Sequence, residues 1–109
     1  MKTLELKLGD KVYTTSRIVA RLTREAFALN KDSLHVARMA KNMDKNDLDG
    51  MDLMLQDMAD IAVRKDNLIC EVYGDKFTAD EVRDNLTDQE INEQIEKIVK
   101  GITGVVQKN

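Results

Sequence analysis

The hydropathy period of this chain changes once, and that change constrains its architecture more than any other feature. Leu4, Leu6 and Leu8 alternate with Glu5 and Lys7, the period-two pattern of a strand with one buried face. From Thr15-Ser16 onward the apolar residues recur at helical spacing instead, and no proline interrupts them anywhere in the 109 residues. The expected fold class is α+β, mostly α, with an N-terminal β-hairpin packed on a bundle of four to five helices. A chain of this length builds one core and not two, so residues 1–109 are expected to form a single domain.

The hairpin is expected over residues 3–14. Gly9-Asp10 fits a two-residue turn in which glycine supplies positive φ, placing Leu6 opposite Tyr13 and Leu8 opposite Lys11. Because an isolated hairpin is marginal in water, its leucine face must lie on helices. Helices are expected over about 16–43, 47–73, 79–85 and 88–103. Thr15 or Ser16 is the candidate N-cap of the first, which aligns Ile18, Leu22, Ala26 and Leu29 on one face and Arg17, Arg21 and Arg24 on another. The polar patch Asn30, Asp32 and Ser33 either ends that helix and caps another or lies within a continuous one; Val36, Met39, Ala40 and Met43 share the face that follows. Leu48, Met51, Met54, Leu55, Met58, Ile61 and Ala62 form a wide apolar stripe, expected to be the central core helix. Leu68, Ile69 and Val72 extend it, and Gly74 is placed to end it as a left-handed residue.

The sharpest local signals are two capping boxes, Thr78-Ala79-Asp80-Glu81 and Thr87-Asp88-Gln89-Glu90, each preceded by an apolar staple residue. Phe77 pairs with Val82 and Leu86 with Ile91, which predicts a short helix near 79–85 and a longer one from 88. The longer one carries Ile91, Ile95, Ile98, Val99 and Ile102 on one face. Gly101 and Gly104 should fray its end, and Gln107-Lys108-Asn109 is expected to be mobile.

Composition excludes several classes of function. Hydrophobic residues make up 42% and charged residues 34%, but no apolar run reaches the roughly 20 residues of a membrane span, and the start lacks a leader-like apolar stretch. With Cys70 alone, no intramolecular disulfide is available, so the expected compartment is a cytoplasm. For catalysis the inventory is thin, since His35 and Cys70 would have to meet in space to form a nucleophilic pair. Lys45-Asn46-Asp47-Leu48-Asp49-Gly50 resembles a calcium loop, but aligned on Gly50 it has Lys45 at the first ligand position and Gln56 at the last. Helix-start chemistry explains those acids better. No spacing suits zinc or a phosphate loop, so neither metal nor cofactor is expected. Asn85-Leu86-Thr87 matches a glycosylation triplet, to which a cytoplasmic chain gives no meaning.

Charge is unevenly spread. Residues 1–45 carry ten Lys/Arg and five Asp/Glu, whereas residues 46–109 carry seven and fifteen. Such a split supports head-to-tail self-association or two partners of opposite charge, or is solvated surface. Arg17, Arg21, Arg24, Lys31, Arg38 and Lys41 come without interleaved aromatics, which argues against nucleic acid. Met39, Met43, Met51, Met54 and Met58 fall within twenty residues; they either pack a core or, where exposed, suit a surface that adapts to an irregular partner chain.

The run Ile69-Cys70-Glu71-Val72-Tyr73-Gly74-Asp75-Lys76-Phe77-Thr78-Ala79-Asp80-Glu81-Val82, followed by Asn85-Leu86-Thr87 and Glu90, resembles the tail assembly chaperones of long-tailed phages infecting Gram-positive bacteria. The hairpin end Lys11, Tyr13 and Thr14 is similar too, so the resemblance spans nearly the whole chain, although the methionine-rich middle departs from it. It implies a non-enzymatic protein that holds the tape measure protein before tail tube subunits polymerise around it, and that is absent from the finished virion. Tail tube protein is a second implied partner. Self-association is implied as well, with a longer frameshifted product in some members. Arg17, Arg21, Met39, Met43, Met54 and Met58 are the candidate protein-binding surface. The competing reading is a small acidic regulatory or antitoxin-like protein-binding module.

Overall fold

The computed structural model describes residues 3–103, and the side chains of residues 3–100. Two antiparallel strands, β1 (Leu4–Leu8) and β2 (Lys11–Thr15), precede four helices: α1 (Ala20–Asn42), α2 (Leu48–Val72), α3 (Ala79–Asn85) and α4 (Asp88–Thr103). The hairpin has the register that its alternation predicts, with Leu6 opposite Tyr13 and Leu8 opposite Lys11, and Gly9 turns the chain at φ +59°. Leu4, Leu6 and Leu8 are all buried, and β1 packs on α3 and α4.

The first helix starts later than expected. Thr15 pairs with Leu4 in the sheet, so it is extended and its hydroxyl donates to the Arg17 carbonyl (3.2 Å) instead of capping a helix. Ser16 stays in the connector, and Val19 takes the N-cap position without a side-chain cap. Further on, α1 runs unbroken through Asn30, Asp32 and Ser33. The patch does not break the helix because its carboxylate has a tertiary partner: Arg64 of α2 reaches Asp32 (2.8 Å) and Glu25 (3.3 Å), riveting the two long helices along one flank.

Local chemistry sets the remaining boundaries. Asp47 caps α2, accepting from the Gly50 N–H (2.9 Å). At the other end the Asp75 N–H reaches the Cys70 carbonyl (2.8 Å) and the Gly74 N–H the Glu71 carbonyl (3.1 Å), a Schellman closure with Gly74 at φ +79°. Both capping boxes are formed, Thr78 with Glu81 and Thr87 with Glu90, each making the reciprocal pair of bonds. The staple residues Phe77, Val82 and Ile91 are buried and Leu86 packs against the same core. Gly104 and Gln107-Lys108-Asn109, expected to fray and to be mobile, lie outside the described residues.

Two buried polar groups tie the layers together. Gln94 of α4 accepts from the Tyr73 hydroxyl (3.1 Å) and donates to the Glu5 carbonyl of β1 (2.9 Å), linking α2, α4 and the hairpin. Burial, with Glu5 adding to it, pushes the Tyr73 hydroxyl up to about 12, so it remains a donor. The Tyr73 ring extends into an aromatic cluster, Phe77 lying 6.0 Å from it and 4.8 Å from Tyr13. Asp66, on α2 and also buried, accepts from Arg83 of α3 (3.3 Å), whose guanidinium also pairs with Asp80.

The stripe expected to make α2 the central core helix is only half used. Buried residues of α2 begin at Ile61 and those of α1 end at Val36; no residue from 37 to 60 is buried. The core lies below this, where Leu22, Ala26 and Leu29 meet Leu68, Ile69, Val72, Ile95 and Ile98.

Replacing Gln94 with Leu leaves the Tyr73 hydroxyl and a strand carbonyl buried without partners, and should lower unfolding free energy by about 2–3 kcal/mol in urea titrations. Tyr73→Phe should lose less, about 1 kcal/mol, and the two losses should not add because they share one bond. Burial raises the Asp66 carboxyl above the ordinary carboxylate range, against the opposing hydrogen bond from Arg83. The folded state therefore holds this proton more tightly than the unfolded chain. The Asp66 contribution to stability should decline as pH rises from the ordinary range through the raised folded value. Urea titrations across that interval should show the decline in the native chain and its loss in Asp66→Asn.

Candidate partner-binding surface

The upper part of the α1–α2 hairpin, residues 37–60, is an arm projecting beyond the core, and its sequence is not that of a solvated arm. Leu48 is 74% exposed, Leu53 59%, Leu55 55% and Met58 49%. Burying a half-exposed leucine gains about 1 kcal/mol, so this arm carries apolar surface that the chain's own packing leaves wet. Leu48, Met51, Leu55, Met58 and Ala62 recur at alternating spacings of three and four, which places them on one side of α2 over about 21 Å.

That strip runs into a groove of about 650 Å³. One wall is α1, with Val36, Ala37 and Ala40; the other is α2, with Met58, Ile61 and Ala62. Leu86 and Ile91 close the lower end, where α4 begins. Alanines on both walls, Ala37 and Ala40 on one and Ala62 on the other, keep the side chains there small. Ser33 lines the groove too, and its buried Oγ has no hydrogen-bond partner in the fold. Charged groups gather at the closed end. Asp66 is held by Arg83, and Lys65, lowered by burial against the attraction of Asp88 and Asp66, donates to Asn92 (2.8 Å).

Among the residues singled out from the sequence, Met39, Met43, Met54 and Met58 all lie on the arm, the first three half-buried along the helix pair and Met58 on the groove edge. Arg17 lies in the connector before α1, and Arg21 is in the first turn of that helix, about 30 Å from the arm's end by helix length. Arg21 is paired there with Glu71 (2.8 Å). The structure thus gathers the methionines and leaves the two arginines elsewhere. Ala37 and Leu53 on the arm, with Leu34 and Val63 just below it, were not singled out, and Ala40 was read only as part of a helix face; all belong to the exposed or groove-lining apolar surface of the helix pair. The signal for them was the shortness of α4, 16 residues against 23 and 25 for α1 and α2.

The candidate chemical groups fall elsewhere. His35 is exposed on α1, whereas Cys70 is buried on α2, its thiol pushed up to about 11 chiefly by burial and further by Asp75 and Asp66. A thiol so placed is protonated at neutral pH and makes a poor nucleophile. Asp47, central to the calcium-like sequence, is engaged in capping. Among the described residues no group of three His, Cys, Asp or Glu is arranged to hold a metal, and no helix is long and apolar enough to cross a membrane.

No curated protein and no solved structure matched the chain. A protein-family model described as phage tail chaperone protein matches residues 1–109, from the hairpin through the arm to the last residue. Because that match covers the whole chain, the chain belongs to the phage tail chaperone family.

Proposed function

We propose that this protein holds the tape measure protein during tail assembly, using the exposed side of the α1–α2 arm and the groove below it. The observation that carries this reading is the unburied stretch from 37 to 60, where leucines and methionines face solvent on a hairpin anchored at its base. A tape measure protein is long, helical and amphipathic, so a chaperone for it must make repeated apolar contacts without tight sequence demands. Methionine and leucine on a groove walled by alanine meet that need, because unbranched side chains refill the space beside different partner residues. The role is non-catalytic and belongs to the host cytoplasm, before the virion is complete. Tail tube protein is a second partner within the same reading, and self-association of the chaperone accompanies it. Met39, Met43, Met54 and Met58 would contribute to the surface, with Arg17 and Arg21 available to a distal segment of a long partner.

Co-expression with the tape measure protein from the same genome tests this. The native chain should raise the soluble fraction of the partner and copurify with it. The double variant Leu55→Asp with Met58→Asp alters side chains that are already half-exposed, so it should fold normally by circular dichroism. It should recover about tenfold less partner. A native chain that leaves the partner's solubility unchanged would sink the proposal.

A further inference from the structure

The α1–α2 pair has two more faces that the groove does not use, and they complement each other. On the outside of α1, Phe27, Lys31, Leu34, Arg38 and Lys41 follow one another at spacings of four, three, four and three, and all are exposed. Arg24 extends the same stripe by one turn. On the outside of α2, Asp49, Leu53, Gln56, Asp60 and Val63 repeat the same spacings and are likewise exposed, with Asp52 and Asp57 beside them. The stretch Leu48–Val63 contains four aspartates and neither lysine nor arginine. One face is thus apolar and basic, the other apolar and acidic.

None of these cations and carboxylates is spent within the fold. Arg21, Arg64 and Arg83 have ion-pair partners, but among the described residues no ion pair engages Arg24, Lys31, Arg38, Lys41, Asp49, Asp52, Asp57 or Asp60. The exposed apolar residues at their centres are substantial: Phe27 43%, Leu34 53%, Leu53 59% and Val63 50%.

We propose that the basic outer face of α1 docks on the acidic outer face of α2 in a second copy of this chain. The inference deepens the self-association named above and rests on that part of the reading. Pairing of like faces is disfavoured, because two α2 faces would oppose carboxylates with no cation and two α1 faces would oppose cations. The contact is therefore heterologous: each copy offers one face of each kind, and the row stays open at both ends unless its rotation closes a ring. The groove strip of Leu48, Met51, Leu55, Met58 and Ala62 lies on a different side of α2 from Leu53 and Asp60 and remains free along the row. A row of copies thereby presents successive grooves to one long partner, which multiplies weak contacts through effective concentration.

Sedimentation velocity of the full chain across a concentration series, at low and high salt, tests the contact. Mass should grow with concentration beyond a dimer and shrink in high salt, as expected for unburied charge pairs. Lys31→Glu with Arg38→Glu, and separately Asp57→Lys with Asp60→Lys, should each weaken association by about tenfold or more. An equimolar mixture of the two variants should regain it. Leu55→Asp with Met58→Asp should associate like the native chain. Association that ignores both charge reversals, that stops at a closed dimer, or that is abolished by the groove variant overturns this interface while leaving tape measure binding to its own test. A native chain that is monomeric throughout overturns self-association altogether.

Discussion

Two long helices lean on a third that is too short to cover them, and everything distinctive about this fold depends on that mismatch. The turn through Gly74 and the short α3 bring the chain back beside the middle of α2, so α4 starts at Asp88 next to Lys65 and runs toward the hairpin. Below that level four helices and a sheet share a core. Above it, α1 and α2 have only each other. A pair of helices buries roughly one side of each, which is why no residue from 37 to 60 reaches full burial although the stretch is rich in leucine and methionine.

The arm stands because its base is fixed by directional bonds. Arg64 grips Asp32 and Glu25 on one flank, while Asp66 and Arg83 hold α3 on another. The Tyr73–Gln94–Glu5 relay sets the height of α4 against the sheet. Apolar contact alone is tolerant of sliding. Buried polar partners are not, since a shifted helix strands donors and acceptors away from water. The protein thus combines a specified lower half with an upper half whose apolar side chains are covered on one side only.

For a chaperone this division is useful in physical terms. A surface that completes its packing only with a partner has affinity without the shape demands of a finished core, and methionine tolerates many neighbours. Opposite charges on the two outer faces act differently, favouring orientation and register over strength. The proposed functions, apolar capture on one side and charge-guided stacking of copies on the others, would divide the surface of the helix pair between two tasks.

Nearest-neighbour chemistry was legible in the sequence. The leucine alternation and Gly9 determined the hairpin register; Thr78, Glu81, Thr87 and Glu90 determined where α3 and α4 begin; Gly74 determined where α2 ends. Each is a bond between residues a few positions apart, so local order suffices to read it. The start of α1 was not legible, because Thr15 is held in the sheet by Leu4, and neither was the continuity of α1 through Asp32, which depends on Arg64. Above all, a 3.6-residue apolar period says that a helix has a face to bury and not whether its own chain supplies the cover. Which half of the α2 stripe became core and which became surface was decided only in three dimensions, by the length of α4 and the place where α3 turns it back.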